Sequence, residues 1–129
     1  MTTEISLSGL RVLVVEDEAL IAMLLEDYLS ELGCTTVGPA SNTADARRLI
    51  DNDTIDLALL DLNLGRGEKS FDLAAELANR SVPFAFAFGA DSLSLEDSFR
   101  SRPVLQKPFR LADLQRILVK LAAARVGEV

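Results

Sequence analysis

Short apolar runs that end abruptly in charge recur along this chain, and they constrain it more than any other feature. Arg11-Val12-Leu13-Val14-Val15 runs into Glu16-Asp17, Asp56-Leu57-Ala58-Leu59-Leu60 into Asp61, and Val104-Leu105-Gln106 into Lys107-Pro108. Residues 10–15 form a near-continuous, largely β-branched run, the pattern of a strand buried on both faces of a parallel sheet. Segments of helical period separate the runs, and strands that alternate with helices argue for βα repeats.

The first such helix should carry Leu20, Ile21, Leu24, Leu25, Tyr28, Leu29 and Leu32 as its apolar stripe, with Gly33 just past its end. Residues 35–38 read as a second strand. Asn42 suits the cap of a second helix whose apolar side is Ala46, Leu49 and Ile50. Residues 56–61 make the third strand and 63–67 a loop with two glycines, followed by a helix over 71–79. A fourth strand is expected over 82–88. Residues 89–102 are polar and serine-rich, a loop with at most a weak, short helix. A short fifth strand over 104–106 precedes a closing helix marked by Leu111, Leu114, Ile117, Leu118 and Leu121. The expected architecture is α/β: a flavodoxin-like (βα)5 doubly wound sheet of five parallel strands in order 2-1-3-4-5. The 129 residues suit one domain, 1–129 with a core over about 10–123, and no effector domain is expected.

Several functions are excluded or disfavoured by composition. The chain has no histidine, so histidine-based catalysis, histidine metal sites and a histidine phosphocarrier role are ruled out within it. A net charge of −7 speaks against a nucleic-acid partner. Arg110, Arg116, Lys120 and Arg125 are spread along the closing helix as a solvated face. The single cysteine, Cys34, allows no internal disulfide and fits a reducing compartment. Neither a signal peptide nor an apolar run long enough for a membrane helix is visible, so a cytoplasmic location is expected.

In an open parallel sheet, ligands bind beyond the carboxyl ends of the strands. With strands one and three adjacent, Glu16, Asp17 and Asp61 would meet there, and Lys107 would join them. A hard cation such as Mg²⁺ takes oxygen ligands. Asp17 and Asp61 would each supply a carboxylate oxygen, Glu16 would reach through a water, and the Asn63 carbonyl would add a main-chain oxygen. The plainer reading is that Glu16 and Asp17 only favour the start of the following helix. That reading leaves Asp61 and Lys107-Pro108 unaccounted for.

Val-Val-Glu-Asp-Glu at 14–18, Leu-Leu-Asp-Leu-Asn-Leu at 59–64 and Lys-Pro-Phe at 107–109 together resemble the receiver domain of bacterial two-component response regulators. The resemblance covers about residues 10–123. It implies that Asp61 is the phosphoacceptor, that Glu16, Asp17, Asp61 and the Asn63 carbonyl bind Mg²⁺, and that Lys107 contacts the phosphoryl oxygens. A cis Pro108 would aim Lys107 inward. It further implies a histidine kinase or histidine phosphotransfer protein as donor; with the charge and the lack of a long apolar run, no membrane or nucleic-acid partner is expected, and a monomer or weak homodimer is. Output would be onward phosphotransfer or a protein contact over the stretch from Leu93 to Leu121. The protein would catalyse only its own phosphorylation and dephosphorylation and would not be an enzyme.

Two positions depart from that pattern. Family members usually carry Thr or Ser at the end of strand four, where this chain has Phe88, and an aromatic residue two before the lysine, where it has Leu105. Gly89, beside the expected site, leaves room for a phosphoryl group. The stand-alone phosphoreceiver is the leading expectation. Phe88 and Leu105 motivate an alternative: a degenerate receiver that binds a partner regardless of phosphorylation. An aspartyl-nucleophile phosphatase is a third, weakened because such enzymes commonly place an Asp two residues after the nucleophile, where Asn63 stands.

Overall fold

A computed structural model of the protein describes residues 6–64, 69–89 and 102–125, with the side chains of 88 and 89 left aside. In chain order the elements are β1 (Arg11–Val15), α1 (Ala19–Glu31), β2 (Thr35–Ala40), α2 (Thr43–Asn52), β3 (Leu57–Asp61), α3 (Phe71–Asn79), β4 (Phe84–Gly89), β5 (Val104–Lys107) and α4 (Leu111–Arg125). The weak helix expected within 89–102 falls outside the described residues. Among those described there are four helices and five strands.

The sheet is parallel throughout, in the order β2-β1-β3-β4-β5. Alternation along its strands builds two cores. Val12, Val14, Leu57, Leu59, Ala85, Ala87 and Leu105 line one face beneath α1 and α4. Leu13, Val15, Ala58, Leu60, Phe84 and Phe86 line the other beneath α2 and α3. All five residues of β3 are buried, as the central strand of such a sheet requires.

The helix ends follow local chemistry. Asn42 caps α2 by accepting the Asp45 N–H at 2.8 Å, as its sequence position suggested. At α4 the reciprocal device appears: Asp113 accepts the Arg110 N–H at 2.9 Å, which lowers the Asp113 pKa. Gly33, at φ +85°, takes the left-handed turn that closes α1, and Cys34 N–H returns to the Leu29 carbonyl at 2.8 Å.

Two expectations are corrected. The second strand runs on to Ala40 instead of stopping at Gly38, through a positive-φ glycine and a cis Gly38–Pro39 bond, with an irregular register against β1. As an edge strand, β2 tolerates the missing proline N–H. Leu20 does not belong to the buried stripe of α1: it is 80% exposed, and Met23 58%. Ala22, Leu25 and Leu29 define the buried face, and a step of two residues turns about 200° around a helix, which carries Leu20 to the opposite side.

Candidate functional site

Register brings the charged residues together. Val15 of β1 lies beside Leu60 of β3, so Glu16 and Asp61, one residue further on, leave the sheet at the same edge. Asp61 pairs with Ala87 of β4, and Ala87 with Leu105 of β5, which places Lys107 just past that level, beside Gly89. Glu16 is tied down through its backbone, its N–H donating to the Ala40 carbonyl at 2.9 Å.

The Lys107 ammonium sits among three carboxylates. Its Nζ lies 2.9 Å from Glu16 Oε1, 3.5 Å from Asp61 Oδ2 and 3.9 Å from Glu18 Oε1. Glu16 and Asp61 are only 3% and 5% exposed. Oε1 of Glu16 is buried and lacks a hydrogen bond of good geometry, so its charge rests on the ion pair with Lys107. The Asn63 N–H donates to Asp61 Oδ1 at 3.3 Å. Pro108 is cis, and Leu105 is packed in the core at 1% exposure.

Burial, then contact with Glu16 and its negative charge, push the Asp61 pKa from its ordinary 3.8 up to about 7, against the opposing pull of Lys107 and the Asn63 N–H. Burial works against the Lys107 ammonium, yet Glu16, with the charges of Asp61 and Glu18, holds its pKa above the ordinary value. An acid that resists ionisation beside a lysine that keeps its proton marks a site short of positive charge. Three carboxylates against one ammonium leave that deficit.

The cluster differs in one member from the set read from the sequence. Carboxylate oxygens of Glu16, Glu18 and Asp61 lie within 4.8 Å of one another, close enough to share a cation, whereas Asp17 is exposed and takes no part in the group. Glu18 was visible as the third acid of Glu16-Asp17-Glu18. It stands at the N-cap of α1, where its side chain makes no cap hydrogen bond. The chain bends at Asp17 between them, and the Glu18 N–H donates back to Glu16 Oε2 at 3.2 Å. The all-oxygen donors and the charge deficit fit a hard divalent cation such as Mg²⁺.

At Phe88 the backbone pairs with Gln106, one step beyond the Asp61 level. The Phe88 side chain lies outside those described, and so do the glycines at 65 and 67.

Comparison with known proteins agrees with this architecture. Residues 12–119 match the family described as response regulator receiver domain. The transcriptional regulatory protein PdtaR of Mycobacterium tuberculosis (strain CDC 1551 / Oshkosh) is 32% identical over 123 residues, covering 92% of this chain and 59% of that protein. This chain thus spans well under two thirds of that relative. The solution structure of SdrG from Sphingomonas melonis Fr1 is 46% identical with a TM-score of 0.80, covering 88% of this chain and 96% of that one. The BeF3-activated conformation of SdrG from Pseudomonas melonis Fr1 is 45% identical with a TM-score of 0.75, covering 95% and 99%.

Proposed function

The chain belongs to the response regulator receiver domain family, and from that premise we propose that it accepts a phosphoryl group on Asp61 from a phosphohistidine carried by another protein, a histidine kinase or histidine phosphotransfer protein. The observation that carries this reading is the convergence on Asp61: a buried carboxylate with Lys107 Nζ at 3.5 Å and a second buried carboxylate, Glu16, sharing that lysine.

The chemistry follows from charge. An Asp61 oxygen attacks phosphorus, the phosphorus–nitrogen bond breaks, and its electron pair stays with the donor's histidine. The product is an acyl phosphate, a mixed anhydride, on Asp61. Lys107 neutralises charge on the transferred group's oxygens. The Asn63 N–H holds one Asp61 oxygen and leaves the other as nucleophile. Glu16, Asp61 and the Asn63 carbonyl, with Asp17 next to them and Glu18 as a further carboxylate, would hold Mg²⁺. When bound, Mg²⁺ supplies the positive charge the site lacks, lowering the Asp61 pKa and countering the phosphoryl charge.

Incubation with Mg²⁺ and phosphoramidate, a small phosphoryl donor with a phosphorus–nitrogen bond, should add one phosphoryl mass to the wild type and none to Asp61→Asn. A wild type that gains nothing overturns the proposal. Magnesium titrations of Asp17→Asn and Glu18→Gln separate the two exposed acids, and the greater loss of affinity identifies the stronger ligand.

The BeF3-activated form of SdrG supports the expectation that a phosphoryl mimic also engages this site. Output would pass through a protein contact on 93–121, of which 102–121 is described, or through onward phosphotransfer, with the domain acting on its own. A second reading keeps the fold as a phosphorylation-independent interaction module. It is favoured by Phe88 in place of a hydroxyl and by Leu105 buried in the core where an aromatic switch is expected. Amide spectra with and without beryllofluoride decide between them: shifts confined to the Asp61 pocket favour the second reading, and shifts reaching 102–121 favour the first.

A further inference from the structure

Asn63 occupies an unusual position: its backbone faces the site and its side chain faces away to a lysine. Its N–H donates to Asp61 Oδ1 at 3.3 Å, and its amide Oδ1 accepts from Lys69 Nζ. The two residues also form an isolated antiparallel bridge, and the Ser70 N–H returns to the Leu62 carbonyl at 3.2 Å. The chain leaving β3 is therefore drawn back on itself directly behind the nucleophile. Lys69 and Asn63 are both exposed, and neither adds to the core. Exposed polar contacts of this kind contribute little to global stability, so any role they have lies in local geometry.

We propose that Lys69 is a positioning residue: by holding the Asn63 side chain it fixes the two peptide units that flank the Asn63 Cα. One of these carries the N–H that orients Asp61, and the other carries the carbonyl offered to the cation. Restricting the residue between them restricts both at once. The inference rests on the Mg²⁺ reading above for its second half only, since orientation of Asp61 by the Asn63 N–H is a property of the metal-free protein.

The test uses Lys69→Met, which removes the donor and keeps the aliphatic stem, together with Asn63→Ala, the double variant and Lys69→Arg. Three quantities are measured: amide hydrogen exchange at residue 63 without metal, Mg²⁺ affinity from amide shifts, and the melting temperature. Lys69→Met should exchange the residue 63 amide faster and bind Mg²⁺ about tenfold more weakly, the lower end of what partners behind metal ligands contribute, with the melting temperature unchanged. Asn63→Ala should match it, the double variant should lose nothing further, and Lys69→Arg should recover most of the loss. Wild-type exchange and affinity in Lys69→Met overturn the proposal. So does a loss that Lys69→Met still causes in the Asn63→Ala background, because Lys69 would then act by charge alone. If the wild type itself binds no Mg²⁺, the functional reading fails, while the exchange measurement still decides the clip.

Discussion

The two ends of the sheet use the same residue types to opposite effect. At the carboxyl ends of the strands, Glu16, Glu18 and Asp61 surround one cation, Lys107. At the amino ends, Asp56 and Asp53 meet two, Arg11 and Arg125. Asp56 accepts the Arg11 N–H at 2.9 Å and pairs with Arg125 at 3.0 Å; Asp53 lies 3.4 Å from Arg11. The amino end is balanced in charge and partly open to solvent, so its ion pairs fasten α4 and the start of β3 to β1. The carboxyl end buries two carboxylates with too few partners. A fold gains nothing by burying an unbalanced charge, and that imbalance is the mark of a site built for something added later.

This contrast is sharpened first by Lys107→Met. Removing the ammonium strands Glu16 and Asp61 without a counter-charge, so the metal-free protein should lose about 2–3 kcal/mol in denaturant unfolding, somewhat under the usual cost of breaking a fully buried pair. Saturating Mg²⁺ should restore much of that loss, and phosphorylation should slow by about a hundredfold. An unchanged stability would mean that the carboxyl end is as well balanced as the amino end.

The next effect is a pH dependence confined to one end. Because the folded-state pKa of Asp61 is raised from 3.8 to about 7, the native state binds more protons than the unfolded state between those values. Its contribution to stability therefore falls as pH rises through that window. Melting curves of wild type and Asp61→Asn without metal should diverge in the variant's favour from pH 4 to 7 and run parallel above. Parallel curves throughout would remove the asymmetry.

Smaller effects belong to the amino end. Asp56→Ala should cost about 1–2 kcal/mol, since it leaves the Arg11 N–H and Arg125 without their acceptor. Arg125→Ala should cost at most about 1 kcal/mol, and less in high salt, because that pair is partly exposed. Neither should alter Mg²⁺ binding, and a change in affinity from either would show that the two ends are coupled.

Much of the fold was legible because its signals are local. The buried runs marked β1, β3 and β4, and Asn42 and Gly33 marked helix ends, since capping and left-handed turns depend on one or two residues. Asp61 and Lys107 could be placed at strand ends for the same reason. Leu20 was misplaced because helical spacing alone does not say which of several apolar residues meets the sheet. The end of β2 was missed because Gly38-Pro39 reads as a stop, whereas edge pairing with β1 carries the strand through it.

What the chain's own residues determined was the order of elements, the parallel sheet and the acids and lysine available at its carboxyl edge, all consequences of periodicity and short-range propensity. Tertiary structure alone decided which acids turn inward. Glu16 is buried by its register beside β3, whereas Asp17 and Glu18 both stay exposed and only the Glu18 carboxylate reaches the Glu16–Asp61 group. It also decided the raised pKa of Asp61, because burial and a neighbouring carboxylate exist only once strands distant in sequence lie side by side.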